Sequence, residues 1–307
     1  MWKKLFKTYC LNLITGTENA IKLPDHKLQN AFCIMTVNKL KQIYNSNSNM
    51  KATHKRHLHN KIKHKITTGN AMLAQKDKGR TTVIIYKHDY DEKVHAFLTK
   101  NDINPTPKNP LNKDCKLIWD TLQQCNLIFS KNQIRKLTPK NPTPPRLNAC
   151  LKIHKPNNPI WPIVNNKNAP TYKIAKKLND ILKQHLQLEN QYHTLYSENW
   201  AHNISALKIN NNHKMITYDI KDLYVNIPIE ETLTITKQQL LKNNDKNKTK
   251  QIITILQTIL EQNYFEFQGT IYHPNKGIEM GSPISGTTAK TFLRHIEKKH
   301  IKQLLVS

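Results

Sequence analysis

The chain has little acid and little glycine for its 307 residues. Twenty-one Asp and Glu stand against 48 Lys and Arg, a formal net charge of +27 with all 15 His counted neutral. Such a balance disfavours cationic partners and points to polyanions. Four of the seven Gly fall between positions 269 and 286, so that stretch needs unusual dihedrals or the close approach of a ligand. Five Cys (Cys10, Cys33, Cys115, Cys125, Cys150) are scattered, odd in number and without a Cys-x-x-Cys pair. This argues against a disulfide framework and a Cys-rich zinc site, and places the chain in a reducing, intracellular compartment, nuclear or cytoplasmic. No run approaches the roughly 18 apolar residues of a spanning helix, and Lys7 and Asn12 interrupt the start MWKKLFKTYCLNLITG. Neither secretion nor a membrane partner is expected.

What is present suffices for a core: 37% of residues are hydrophobic and 22% charged, which disfavours full-length disorder and suggests one large or two modest domains. The charge is scattered rather than amphipathic, which favours nucleic acid over an anionic membrane. The plain alternative is a Lys excess inherited from a biased genome, since Lys, Asn and Ile are all abundant.

Positions 1–75 read as a basic helical N-terminal region, with Leu40, Ile43 and Tyr44 at helical spacing. Within it, KATHKRHLHNKIKHK carries Lys51, Lys55, Arg56, Lys61, Lys63 and Lys65 without an acid, and reads equally as a phosphate-tracking surface or a solvated, partly disordered basic stretch. Its four His are spaced too irregularly for a metal site. TTVIIY follows a Gly79 turn as a strand. Eleven of the fifteen Pro lie between Pro105 and Pro170, which predicts extended arms and loops over other elements or a rigid clamp, with one helix around 118–128.

TYKIAKKLNDILKQHLQ resumes helical period. The spacing then predicts a strand over 214–220, a turn, and a helix entered at Pro228, capped by Asn226 and favoured at its positive end by Glu230 and Glu231. QIITILQTILEQ predicts another helix, NYFEFQGTIYHP a hairpin turning at Gln268-Gly269, and GIEMGSPISG a loop into a last helix.

Asp219 falls at the end of the predicted strand, with Asp222 three residues on and Tyr224 five. A strand-end carboxylate suits Mg²⁺, a hard ion that takes one or two carboxylate oxygens together with substrate phosphates. An Asp in an ordinary strand-to-helix loop is the plain reading of that residue alone.

The combination is more specific. DIKDLYVNIP is followed, 49 residues after Pro228, by GIEMGSPIS, and preceded by KDKG and LKIHKPNNPIWPIV. In that order these motifs resemble the reverse transcriptase domain of Penelope-like retrotransposable elements, over roughly residues 75–300. The resemblance implies an α+β fold, the fingers and partial palm of a right-hand polymerase, mostly helical with a small antiparallel sheet. Positions 76–213 would be the fingers-like region with its Pro-rich extended segments, and 214–307 the partial palm. It also implies Mg²⁺, an RNA template, a DNA primer and deoxynucleotides. Asp219 would be the first metal-binding, catalytic aspartate and Ile220 would offer its carbonyl. Asp222 would lie near the triphosphate, and Tyr224 would exclude the ribose 2′-hydroxyl. Lys152 and Lys155 would meet phosphates. Gly277, Gly281, Ser282 and Pro283 would form the loop that approaches template and nucleotide.

The chain departs from the family's pattern at Trp161, where an Arg is usual, and at Pro274, Glu279 and Gly286. It contains no Tyr-x-Asp-Asp run to supply the second carboxylate pair that holds two ions about 4 Å apart. A fragment inactive alone, and poorly soluble for want of the missing palm strands, is therefore expected. The competing class is a non-catalytic, basic nucleic-acid-binding protein derived from such an element.

Overall fold

A computed structural model describes residues 35, 38–39, 52–79, 81–186, 188, 196–207 and 219–301. Among these, nine α-helices accompany a two-stranded antiparallel sheet and a five-stranded mixed sheet, an α+β architecture. No helix among the described residues is long and apolar enough to cross a membrane. The chain divides into two compact units, one of Met1–Asp102 with Asn148–Ile163, the other of Ile103–Leu147 with Val164–Ser307.

The first unit opens with helix α1 (Ala52–Thr68), whose side chains from Lys61 to Lys65 are all exposed. Its first turn carries no acid, and Ile62 is half exposed. Strand β1 (Ala71–Gln75) follows, where helix was expected, and pairs antiparallel with β2 (Thr82–Tyr86) in the register Ala71↔Tyr86 to Gln75↔Thr82. Gly79, at φ +92°, makes the turn before β2 that its sequence predicts.

Helix α2 (Lys87–Lys100) is an element the sequence reading passed over. It buries Tyr90, Val94 and Leu98, one apolar side chain per turn on an otherwise polar helix. The Tyr90 hydroxyl accepts from the Ala149 amide at 2.8 Å and donates to the Ala149 carbonyl at 3.2 Å. Residues Asn148 to Ile163 bring in most of β4 (Arg146–Leu151), the turn after it, and most of β5 (Ile160–Asn165).

The second unit begins with β3 (Ile103–Thr106), helix α3 (Leu111–Gln124) and helix α4 (Lys131–Leu137). Ser130 caps α4 in a reciprocal box with Gln133. The Pro-rich region therefore holds two helices and three strands rather than arms and loops. Proline still obeys its own chemistry. The sheet order is β3-β7-β6-β4-β5, and Pro105 and Pro162 sit inside the two edge strands, where a missing N–H costs no ladder bond.

Helices α5 (Tyr172–His185) and α6 (Ser197–Ser205) follow. Helix α7 (Ile229–Leu240) leads to α8 (Lys246–Glu261), and strands β6 (Phe265–Phe267) and β7 (Thr270–Pro274) form the expected hairpin. Gln268 at φ +51° and Gly269 at φ +81° supply the consecutive left-handed residues of its turn. Helix α9 (Ser285–Ile296) closes the order, continued by a π turn over Glu297–Ile301.

Helix α8 is the hub of this unit and packs on α3, α5 and α7. Its Ile252, Ile255, Leu256, Ile259 and Leu260 join Leu122, Leu178, Leu182, Ile227 and Leu240 in one apolar cluster. β6 pairs antiparallel with β7, which pairs antiparallel with β3, but Glu266 of β6 pairs parallel with Arg146 at the start of β4. The larger sheet is thus mixed, and the small antiparallel sheet that was expected is present beside it as β1 with β2.

One local expectation is corrected, and another falls largely outside the described residues. The strand expected over 214–220 lies outside the described residues up to position 218, and Asp219 and Ile220 are exposed and outside any strand. Asn226 does not cap α7; its side chain donates to the Asp222 carbonyl at 2.9 Å, and Pro228 in extended backbone occupies the N-cap.

Candidate functional site around the 277–285 loop

The sequence motifs of interest fall in both units. In the first, Lys152 and Lys155 lie in the turn between β4 and β5. The Lys152 amide donates to the Pro159 carbonyl at 2.9 Å and the Lys155 amide to the Lys152 carbonyl at 3.0 Å, so the turn is internally ordered. Asn157 and Asn158 take left-handed backbone there, and the Lys93 ammonium holds the Asn157 carbonyl at 2.7 Å. Lys155 is exposed. The Lys152 ammonium stands 3.7 Å from the centre of the Trp161 ring, a cation–π contact, so the indole that replaces the expected guanidinium has a positive charge over its face.

In the second unit, the glycine-rich segment is tied to two segments far away in sequence. The Ile278 amide donates to the Tyr224 carbonyl at 2.8 Å, and the Val164 amide donates to the Met280 carbonyl at 2.6 Å. Both contacts explain a glycine. Gly277 at φ +78° lies against the Val225 backbone, and a Cβ there would overlap the Val225 carbonyl carbon. Gly281 at φ +128° lies against the Val164 carbonyl, where a Cβ would overlap the oxygen. Left-handed dihedrals and backbone contact are both demands that only glycine meets cheaply.

Further bonds fix the loop from within and below. The Asn263 side-chain amide donates to the Gly277 carbonyl at 3.0 Å, and the Ser285 hydroxyl donates to the Glu279 carbonyl at 2.7 Å. Ser282 and Pro283 are half-buried and Gly281 is exposed, so the tip of the loop faces solvent. Tyr224 is half-buried in a single 3₁₀ turn, Tyr224–Asn226, and packs against the apolar cluster. Asp222, half-buried, takes a left-handed conformation at φ +53° just ahead of it.

The predicted residues are thus gathered in part. Tyr224, Gly277 and Gly281 meet through the loop. Asp219 and Ile220 are exposed at the start of the described segment, and Ile220 is 56% exposed. Lys152 and Lys155 belong to the other unit. Among the described residues no three His, Cys, Asp or Glu side chains assemble into a set that could hold a metal ion. One exposed carboxylate and a neighbouring carbonyl fall short of the oxygen shell that Mg²⁺ demands, so the described side chains do not by themselves fit a Mg²⁺ centre.

Sequence reasoning passed over Val164, Asn263 and the role of Glu279. The Glu279 carboxyl is out of reach of solvent although the residue as a whole is half-buried, and its Oε2 has no hydrogen-bond partner. Burial pushes its pKa up to about 8, against the opposing effect of a hydrogen bond from Asn166. Tyr264 is raised as well, first by burial and then by the Asp114, Cys115 and Glu279 groups near it. The available signal for Glu279 was its setting, a lone acid between Ile278 and Met280 in a stretch, 277–285, that is otherwise uncharged. No family model matches the chain, and no curated protein matches it.

Proposed function

We propose that the chain carries the fingers and part of the palm of an RNA-directed DNA polymerase of the retrotransposable-element kind, and that it binds a primed RNA template without completing the catalytic centre. The observation that carries this reading is the meeting of three separate motifs at the 277–285 loop. Val164 of the IWPIV segment and Tyr224 of DIKDLYVNIP are both bonded to the backbone of GIEMGSPIS. Segments 60 and 53 residues apart in sequence (224 − 164 and 277 − 224) are held together by main-chain bonds. Glycines at the two contacts leave an exposed loop tip that nucleic acid could approach.

In this reading Asp219 gives the first carboxylate for Mg²⁺, Ile220 its carbonyl, Asp222 and Tyr224 flank the deoxynucleotide, and Lys152 and Lys155 meet phosphates. The +27 charge supplies affinity by counterion release, which needs no base-reading element. Polymerisation needs a second carboxylate pair that these 307 residues do not contain in Tyr-x-Asp-Asp form.

A second reading, a basic nucleic-acid-binding protein with no catalytic role, is favoured by the exposure of Asp219 and the +27 net charge. Primer extension on an RNA template, with Mg²⁺ and deoxynucleotides, separates an active polymerase from a chain that only binds, and preference for a primed RNA template over unprimed RNA and duplex DNA separates the two readings. Binding that falls steeply between 50 and 200 mM salt supports both readings at about the slope expected for several phosphate contacts. Extension that Asp219→Ala abolishes establishes the enzyme. Binding without extension that Asp219→Ala leaves intact, and that does not distinguish primed RNA from other nucleic acid, establishes the binding protein. Binding indifferent to salt overturns both.

A further inference from the structure

We propose that Glu279 is a proton-operated latch on the 277–285 loop: its neutral carboxyl group stays in the small cavity beneath the loop and keeps Met280 against Val164, and its ionisation releases the loop. The inference does not depend on the polymerase reading.

The cavity is lined by Ile259 and Leu260 of α8, Asn263, Ile278, Glu279, Ser282, and Ser285 at the start of α9. Two acceptors in it have no partner, Glu279 Oε2 and Asn263 Oδ1, and Asn263 is only 4% exposed. Two unpartnered acceptors on residues that line one space are unstable as they stand, because each forfeits the hydrogen bond it had in water. A proton on Glu279 changes the count. The neutral acid gains an O–H donor, and the Asn263 oxygen and a serine hydroxyl line the same space to receive it. The ionised form offers acceptors only and adds an uncompensated charge to an apolar floor.

The groups around Glu279 do not supply that compensation. Helix α8 presents Ile259 and Leu260, and α9 presents Ser285. The segment after α8 brings Tyr264, whose buried hydroxyl is itself unpartnered and which Glu279 influences. Behind Tyr264 lie Asp114 and Cys115 of α3, neither of them cationic. Asn166 donates the hydrogen bond that favours ionisation, and burial outweighs it, leaving the pKa at about 8. Among the described residues no ion pair involves Glu279.

The carboxyl is mechanically coupled to the loop's anchors. Glu279 sits between Ile278, whose amide holds Tyr224, and Met280, whose carbonyl holds Val164. Its own carbonyl is held by Ser285 at 2.7 Å. A side chain driven out of the cavity by charge must swing the backbone between those two bonds.

The test is hydrogen exchange of the Val164 and Ile278 amides in the full chain between pH 6 and 9, corrected for intrinsic exchange, with Glu279→Gln beside it. Protection that falls by up to about tenfold per pH unit between pH 6 and 8 in the natural chain and levels off above 8, while it stays flat in Glu279→Gln, is the expected result. The same fall in both chains, or no fall in the natural one, overturns the proposal. Should Glu279→Gln fail to fold, carbon NMR of Glu-labelled natural chain decides. One carboxyl titrating near 8 is expected; none titrating above 6, as a cation bound at the site would also produce, overturns it.

Discussion

The Val164 carbonyl faces Gly281 so closely that a single methyl group at that position would overlap its oxygen. Gly281→Ala should therefore cost about 3 kcal/mol or more, from left-handed strain and backbone overlap together. Gly269→Ala provides the comparison. Its φ is also positive, +81° against +128° at Gly281, but nothing lies within 4 Å, so it should cost only about 1 kcal/mol. Urea unfolding of both variants measures the difference; equal losses would mean that the contact with Val164 is unimportant.

In the first unit, Tyr90 makes two backbone bonds with one hydroxyl. Tyr90→Phe keeps the ring packing and strands both the N–H and the C=O of buried Ala149, a loss of about 1–3 kcal/mol. The urea midpoint should fall with an unchanged slope.

The raised carboxyl of Glu279 makes a signed prediction about pH. Its ordinary value of 4.5 applies to the unfolded chain, and about 8 to the folded one, so between those values the folded state holds a proton that the unfolded state has released. Stability is then greatest below about pH 4.5 as far as this group is concerned, and declines through the window up to pH 8, by at most about 1.4 kcal/mol per unit. Glu279→Gln should flatten that decline and be the more stable chain at pH 8. Thermal melts at pH 5, 6.5 and 8 read it directly.

Lys61, Lys63 and Lys65 project from α1 into solvent with no acid on the helix. Their joint replacement by Gln should lower the salt slope of nucleic-acid binding by up to about 0.9 for each duplex phosphate that is no longer neutralised, and barely alter stability. Fluorescence anisotropy across a salt series gives the slope. An unchanged slope would remove α1 from the nucleic-acid surface.

Asp245 accepts the Lys248 amide at 2.8 Å as the N-cap of α8, the helix on which the second unit packs. Asp245→Ala should cost about 1 kcal/mol in chemical unfolding.

Compact local signals are legible in the sequence, whereas diluted or long-range ones are not. The 265–274 hairpin was legible because a turn with Gly269 and alternating apolar residues are both contained within ten residues. Helix α2 was overlooked because its three buried side chains, Tyr90, Val94 and Leu98, are outnumbered by polar residues on its solvated faces. Strand β3 was hidden by Pro105, since proline density signals loops and only the strand's place at a sheet edge permits it. Asn226 looked like a helix cap from its position, but Pro228 fixes the entry to α7 and leaves Asn226 to bond Asp222. At the candidate site, the crowding of Gly277 and Gly281 was visible as composition. The backbones they lie against, at Val225 and Val164, were not, because one is 52 residues away and the other 117 (277 − 225 and 281 − 164).

The division of the chain has an effect on how it is made. The first unit is completed only by Asn148–Ile163, after the 45 residues Ile103–Leu147 (147 − 103 + 1) that belong to the second. A ribosome delivering the chain from its amino end thus releases β1, β2 and α2 well before the strand whose Ala149 satisfies Tyr90 has been synthesised. During that interval the Tyr90 hydroxyl and the apolar face of α2 wait uncovered, and slowing or stalling translation anywhere between codons 103 and 148 should expose the nascent chain to chaperones and proteases. No single cut frees either unit intact, so dissecting this protein by truncation calls for joining separated segments rather than trimming an end.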